Sequence, residues 1–200
     1  MKLTTCNRRP GGNALQCYQC IPGPSGTCTD TQVDCPSQCG SATGATYMSG
    51  QKTSAINKKF CATPKQCISG SFNLGLMKSI VSSKCCNTNL CNNHTVQELP
   101  STGPNGKKCF TCVGDDCSQT LNCEGDEDQC VETKVNTGGQ KITMKGCTSS
   151  IICFAHLLGQ PGPTGERVTC CAGDLCNNVK SINQNMFLLV VSVVSKILYH

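Results

Sequence analysis

One cysteine spacing occurs twice in this chain. From Cys61 the steps are 6, 18, 1 and 5 residues, through Cys67, Cys85 and Cys86 to Cys91. From Cys147 they are 6, 17, 1 and 5, through Cys153, Cys170 and Cys171 to Cys176. Both stretches close on a similar string, CCNTNLCNN and CCAGDLCNN, and both copies open with a CxxC pair, Cys17/Cys20 and Cys109/Cys112. The first copy is completed by Cys28, Cys35 and Cys39, the second by Cys117, Cys123 and Cys130, so each holds ten cysteines. A repeat that keeps spacing while other residues change points to covalent architecture. With 21 cysteines in 200 residues, no tryptophan and only eight other aromatics, neither copy can bury a large apolar core. Disulfides, at roughly 2–4 kcal/mol each, supply the missing stability by restricting the unfolded chain. They persist in an oxidising compartment, which places the protein outside the cell or in a lumen.

Zinc and redox catalysis are the rival uses of dense cysteine. A zinc ribbon needs two CxxC-like knuckles per site, and each copy has one. A thioredoxin-type CxxC needs a βαβ setting, and neither copy contains a long amphipathic helical pattern. The net charge of +5 hides an asymmetry. Residues 17–91 carry six Lys/Arg against two Asp/Glu, whereas residues 109–176 carry four against nine. Copies of opposite sign can attract each other or face different partners. The basic residues are scattered without interleaved aromatics, which argues against nucleic-acid binding.

The order along the chain follows from these landmarks. Residues 1–14 contain no apolar run of signal-peptide length, so they are expected to be an atypical leader in place of a signal peptide. The odd Cys6 falls there. The first domain is expected over 15–92, a Pro/Gly/Ser/Thr-containing linker over 93–108, and the second domain over 109–178. Strand signals are short: LQCYQC, ATYMSG against INKKFC, and an apolar–polar segment from Phe72 to Val81. Val131–Val135 and Ile142–Met144 flank a Gly-rich turn and predict a β-hairpin. Cys153–Leu158 and Arg167–Cys170 predict another, joined by the turn cluster GQPGPTGE. Residues 179–200 form a polar spacer followed by an apolar tail, MFLLVVSVVSKILY. That tail is shorter than a membrane span and resembles a glycolipid (GPI) attachment signal, with Asn178 as the attachment residue.

The CxxC opening combined with the CC-x4-C-N ending resembles the lymphocyte-antigen-6/urokinase-receptor family, also called LU or three-finger domains. The resemblance covers residues 17–91 and 109–176. It implies an all-β, disulfide-rich fold of two tandem three-finger (snake-toxin-like) domains. Ten cysteines allow roughly 950 pairings, among which spacing alone does not choose. The resemblance implies Cys17–Cys39, Cys20–Cys28, Cys35–Cys61, Cys67–Cys85 and Cys86–Cys91 in the first domain. In the second it implies Cys109–Cys130, Cys112–Cys117, Cys123–Cys147, Cys153–Cys170 and Cys171–Cys176. It also implies that Asn92 and Asn177 pack into each disulfide-rich base. Two-domain members similar to this chain include receptors like the urokinase receptor and the gamma-type inhibitors of secreted phospholipases. A shared fold does not fix the ligand.

Catalytic constellations are missing from the sequence. His94, His156 and His200 are scattered, and there is no GxSxG elbow, HExxH or phosphate-binding loop. The acidic run Glu124, Asp126, Glu127, Asp128 lacks the ligand spacing of an EF-hand and is read as a solvated loop. No metal or cofactor is expected. Asn93-His94-Thr95 is the one glycosylation sequon, in an expected exposed linker. The favoured function is a non-enzymatic, GPI-anchored, receptor-like module at the cell surface that binds an extracellular or cell-surface protein. The alternatives are a secreted inhibitor of a secretory phospholipase and, third, a channel-modulating toxin-like ligand. The expected ligand surface is the long second finger of the first domain. There Tyr47 and Met48 offer apolar contact, while Lys52, Lys58 and Lys59 steer an acidic partner.

Overall fold

Pairs of consecutive strands between closely spaced cysteines form antiparallel hairpins, which account for most of the regular structure. The computed structural model describes residues 14–23, 26–100, 102–137, 139–157 and 168–178. The expected leader through residue 13, Cys6 and the apolar tail from residue 179 lie outside the described residues. In the first domain β1 (Leu15–Gln19) pairs with β2 (Thr31–Cys35), and β3 (Gln38–Met48) with β4 (Gln51–Ala62). The β3–β4 turn sits on Ser49 and Gly50 at φ 49° and 80°, the paired left-handed geometry that matches strand twist. A 3-10 turn at Pro64–Gln66 leads into β5 (Gly70–Asn73) and β6 (Met77–Cys86), and β6 also pairs with β3. In the second domain β7 (Pro104–Val113) pairs with β8 (Asp116–Glu124), and β9 (Gln129–Thr137) with β10 (Gln140–Thr148). Strand β7 therefore begins inside the segment expected to be linker.

After β10 the structure departs from the sequence reading. Residues Ser150–Leu157 form a helix, α1, where a strand was expected, and only the return strand β11 (Val168–Cys171) pairs with β9. The reason is local. The Asp128 carboxylate accepts the Ser150 N–H at 2.6 Å, and the Ser149 carbonyl accepts the Ile152 N–H. Those contacts satisfy donors at a helix N-terminus. Ile152, Cys153 and Ala155 turn inward while Ile151 and Phe154 face out, a helical period hidden in the continuous apolar run IICFA.

Ten disulfides tie the described residues together: Cys17–Cys39, Cys20–Cys28, Cys35–Cys61, Cys67–Cys85 and Cys86–Cys91, then Cys109–Cys130, Cys112–Cys117, Cys123–Cys147, Cys153–Cys170 and Cys171–Cys176. Cystine is also the interior of each base. Cys17, Cys35 and Cys39 form one buried cluster, and Cys109, Cys123, Cys130 and Cys147 another. A buried asparagine ties each base together. The Asn92 amide donates to the carbonyls of Tyr18 and Gly40 and accepts the Tyr18 N–H. The Asn177 amide donates to Phe110 and Val131 and accepts the Phe110 N–H.

The aliphatic core lies elsewhere, between the domains. Phe72 and Leu74 of the first domain pack against Val131 and Ile152 of the second, flanked by Ile68, Met77, Met144 and Val168. At the same junction β5 pairs with β10 through Phe72↔Thr148 and Asn73↔Cys147. This joins both domains into one seven-stranded sheet of order β11-β9-β10-β5-β6-β3-β4. Close approach requires glycine: a Cβ on Gly146 would overlap the Asn73 carbonyl, and one on Gly70 would press on Ser149. Of the acidic run expected to be solvated, Asp126 and Asp128 are exposed, but Glu124 and Glu127 are part of this junction. Glu127 is 0 % exposed and accepts bonds from Ser71 Oγ (2.9 Å), Asn73 Nδ2 (3.2 Å) and the Glu124 N–H (2.8 Å). Lys78 of the first domain pairs with Glu124 at 2.7 Å and Glu127 at 3.2 Å. Burial by itself would depress the Lys78 ammonium, yet these two carboxylates hold it above the ordinary lysine value.

Candidate ligand surface

The second finger of the first domain is the longest hairpin there, and its outer strand β4 is the end of the seven-stranded sheet. Every residue from Gln51 to Lys58 is exposed. The finger's base is fixed by Cys35–Cys61 and Cys17–Cys39, so its position does not depend on side chains along its length. One of its two faces is covered. The segment 93–99 runs across the sheet as a strap, with Val96 buried against it. The Thr43 hydroxyl donates to the Val96 carbonyl at 2.5 Å, and Ser82 Oγ accepts the Leu99 N–H at 2.8 Å.

The strap takes up three of the five residues expected to face a ligand. Tyr47 donates its hydroxyl proton to Glu98, and Lys52 forms an ion pair with the same carboxylate. Burial would raise Glu98, but the bonds from Lys52 and Tyr47 hold it below the usual carboxylate range. The Glu98 bond and burial in turn raise the Tyr47 phenol. Lys59 pairs with Asp30 at 2.5 Å, donates to the Asn93 carbonyl at 3.3 Å and lies 5.4 Å from the Tyr18 ring centroid. Met48 is 46 % exposed, and Lys58 has no carboxylate partner among the described residues, its ammonium resting 4.9 Å over the Phe60 ring. Ile56, which sequence reading passed over, is 45 % exposed. Its ladder partner is Gly44, which offers no side chain to cover it. The alternation of β4 carried that signal: Ile56 and Lys58 share a face two residues apart.

Other features of the molecule are less selective. A groove of about 1280 Å³ in the second domain is lined by Asp115 and Asp116 from the β7–β8 turn and by Lys134 and Lys141 from the β9–β10 hairpin. Its mixed walls favour neither sign of ligand. Asp116 is held at about 2 by bonds from Ser118 and Gln119. The sulfurs of Cys109, Cys123 and Cys147 lie within 4.8 Å of one another, but each belongs to a disulfide and offers no thiolate to a metal. Asn93 is exposed beside the base of β4, and Asn178 is exposed immediately after buried Asn177.

Each of the two cysteine repeats matches a known family profile. Residues 13–94 match the profile of the u-PAR/Ly-6 domain, and residues 108–177 match that of snake toxin and toxin-like proteins. The urokinase plasminogen activator surface receptor of Mus musculus is 35% identical over 106 residues, covering 48% of this chain and 32% of the receptor. The chain thus spans about a third of the length of that relative. Xenoxin-2 of Xenopus laevis is 30% identical over 71 residues, covering 35% of this chain and 97% of that protein. The crystal structure of mouse TEX101 matches 82% of this chain at 21% identity, with a TM-score of 0.33. With two copies of the CxxC opening and the CC-x4-C-N ending on three-finger bases, this chain belongs to the u-PAR/Ly-6 family.

Proposed function

We propose that this protein is a non-enzymatic, receptor-like module of the extracellular surface that binds another protein through the second finger of its first domain. The observation that carries the reading is β4, a twelve-residue strand exposed along Gln51–Lys58 on a base fixed by disulfides. Loops and edges held by a rigid scaffold can vary for recognition without loss of fold. Met48, Ile56 and Lys58 are the contact residues this surface offers. The test is capture of cell-surface and extracellular proteins by the full chain, glycosylated at Asn93, against Lys58→Glu and Met48→Asp variants. Recovery of a specific partner should fall at least fivefold in both variants, most visibly at low salt for Lys58→Glu. Equal recovery by wild type and both variants removes the finger as the binding surface.

The same reading includes attachment to the outer leaflet by a glycolipid at Asn178. Its support is the exposed position of Asn178 directly after the closed base, together with the apolar run that follows in the sequence. Phosphatidylinositol-specific phospholipase C should release the protein from intact cells. Protein that stays on the cells after the lipase, or that reaches the medium with its tail intact, contradicts the anchor.

A further inference from the structure

We propose that the outer edge of β4 accepts an extended acidic segment of another protein as an added β-strand. This rests on the reading of the second finger as the binding surface and specifies how it binds. At the base of β4 the edge is already used. The Lys59 N–H donates to the Cys20 carbonyl, and the Cys20 N–H donates to the Lys59 carbonyl, both at 2.9 Å. Alternation along an antiparallel strand turns the peptide groups of Asn57 and Ala55 to the same side as those of Lys59. Among the described residues nothing takes those groups.

Exposed edges are usually guarded by proline, charge or a bulge. Strand β4 has such guards at its two ends. Near the tip the ladder shifts register opposite Thr46/Tyr47, and Lys52 is drawn away by Glu98. At the base Cys20 covers Lys59. Between them Ser54-Ala55-Ile56-Asn57 contains neither proline nor charge.

The side chains beside this stretch define the occupant. Ile56 and Lys58 project from one face, the first 45 % exposed and the second without a carboxylate partner among the described residues. An added strand places alternate residues on that face, so its complement is an acidic residue opposite Lys58 and an apolar residue opposite Ile56, two positions apart. The surrounding domain, with six Lys/Arg against two Asp/Glu, favours an acidic partner. A second copy of this chain fits less well. Antiparallel pairing of β4 with itself leaves each Lys58 facing Ser54 or Lys52 and brings two basic domains together.

The probe is a synthetic peptide with the repeat Thr-Glu-Thr-Val-Thr, compared with its Thr-Lys-Thr-Val-Thr counterpart, added to the full chain. The glutamate peptide should slow exchange of the Ala55 and Asn57 amides at least tenfold and leave the Ile56 amide, which faces β3, unchanged. Lys58→Glu should weaken the glutamate peptide at least tenfold and bind the lysine peptide instead. Ala55→Pro, which removes an outward donor, should abolish binding of both. If neither peptide protects Ala55 and Asn57, or if protection is indifferent to peptide charge, strand addition of an acidic segment is wrong. Concentration-dependent protection without peptide, accompanied by a dimer in sedimentation, would assign the edge to a second copy instead. Should whole-protein capture still depend on Lys58 while the peptides give no protection, the finger remains the binding surface and strand addition alone falls.

Discussion

Glu98 shows how a single residue can convert a linker into part of a domain. Its carboxylate receives both the Tyr47 hydroxyl and the Lys52 ammonium, and with Val96 it fastens the strap over the sheet. Because its folded pKa lies below the unfolded value, its contribution is complete above the ordinary glutamate range near 4.3 and is lost as pH falls through the folded value. Acidification below about pH 4 should therefore loosen the strap before the disulfide base changes. Methyl resonances of Val96 and the ring resonances of Tyr47 should shift together with the Glu98 titration. Independent movement would separate Glu98 from the strap. The sequence made Tyr47, Lys52 and Lys59 look available because their partners are remote. Glu98 lies 51 residues from Tyr47, and Asp30 lies 29 from Lys59. Lys58 has no such carboxylate among the described residues, so it is the residue to reverse.

Among the secondary-structure elements, the two third fingers differ most. In the first domain β5 and β6 form a hairpin; in the second, α1 occupies the place of the first strand and β11 alone joins the sheet. Strand β10, the counterpart of β4, pairs along its outer edge with β5 of the other domain, whereas β4 ends the sheet. Cysteine spacing made the repeated all-β, disulfide-rich fold readable, since it recurs while most other residues differ. The helix was not readable, because in IICFA the inward and outward residues are both apolar. The β5–β10 pairing has no local signature either, as Phe72 and Thr148 are brought together only by tertiary packing. Two glycines test this junction against an open site. Gly146→Ala must part β10 from β5 and should cost about 3 kcal/mol, the upper end for overpacking. Gly44→Ala, with no atom within 4 Å of the new Cβ, should change stability by about 0.5 kcal/mol or less. Denaturant midpoints of the two variants, measured with disulfides intact, decide the comparison; equal midpoints would mean that the junction yields without cost.

Taken whole, the described residues form three interiors: a cystine interior in each domain and an aliphatic one between them. The charge asymmetry follows the same division, with Lys78 of the basic domain held between Glu124 and the buried Glu127 of the acidic one. Breaking a buried pair by removing one partner typically costs about 3–5 kcal/mol, so this contact resists separation of the domains. The full chain should therefore unfold in one transition reported alike by probes in either domain. Residues 15–92 alone should bind a hydrophobic dye through uncovered Phe72, Leu74 and Met77. Two resolved transitions in the full chain, or a dye-silent fragment, would show that the domains are energetically independent. The placement of that aliphatic interior also bears on descent. A duplicated unit whose oily side is sealed by its neighbour cannot be shuffled singly between genes without exposing that side, so recombination that preserves a soluble product has to carry the two copies as one cassette.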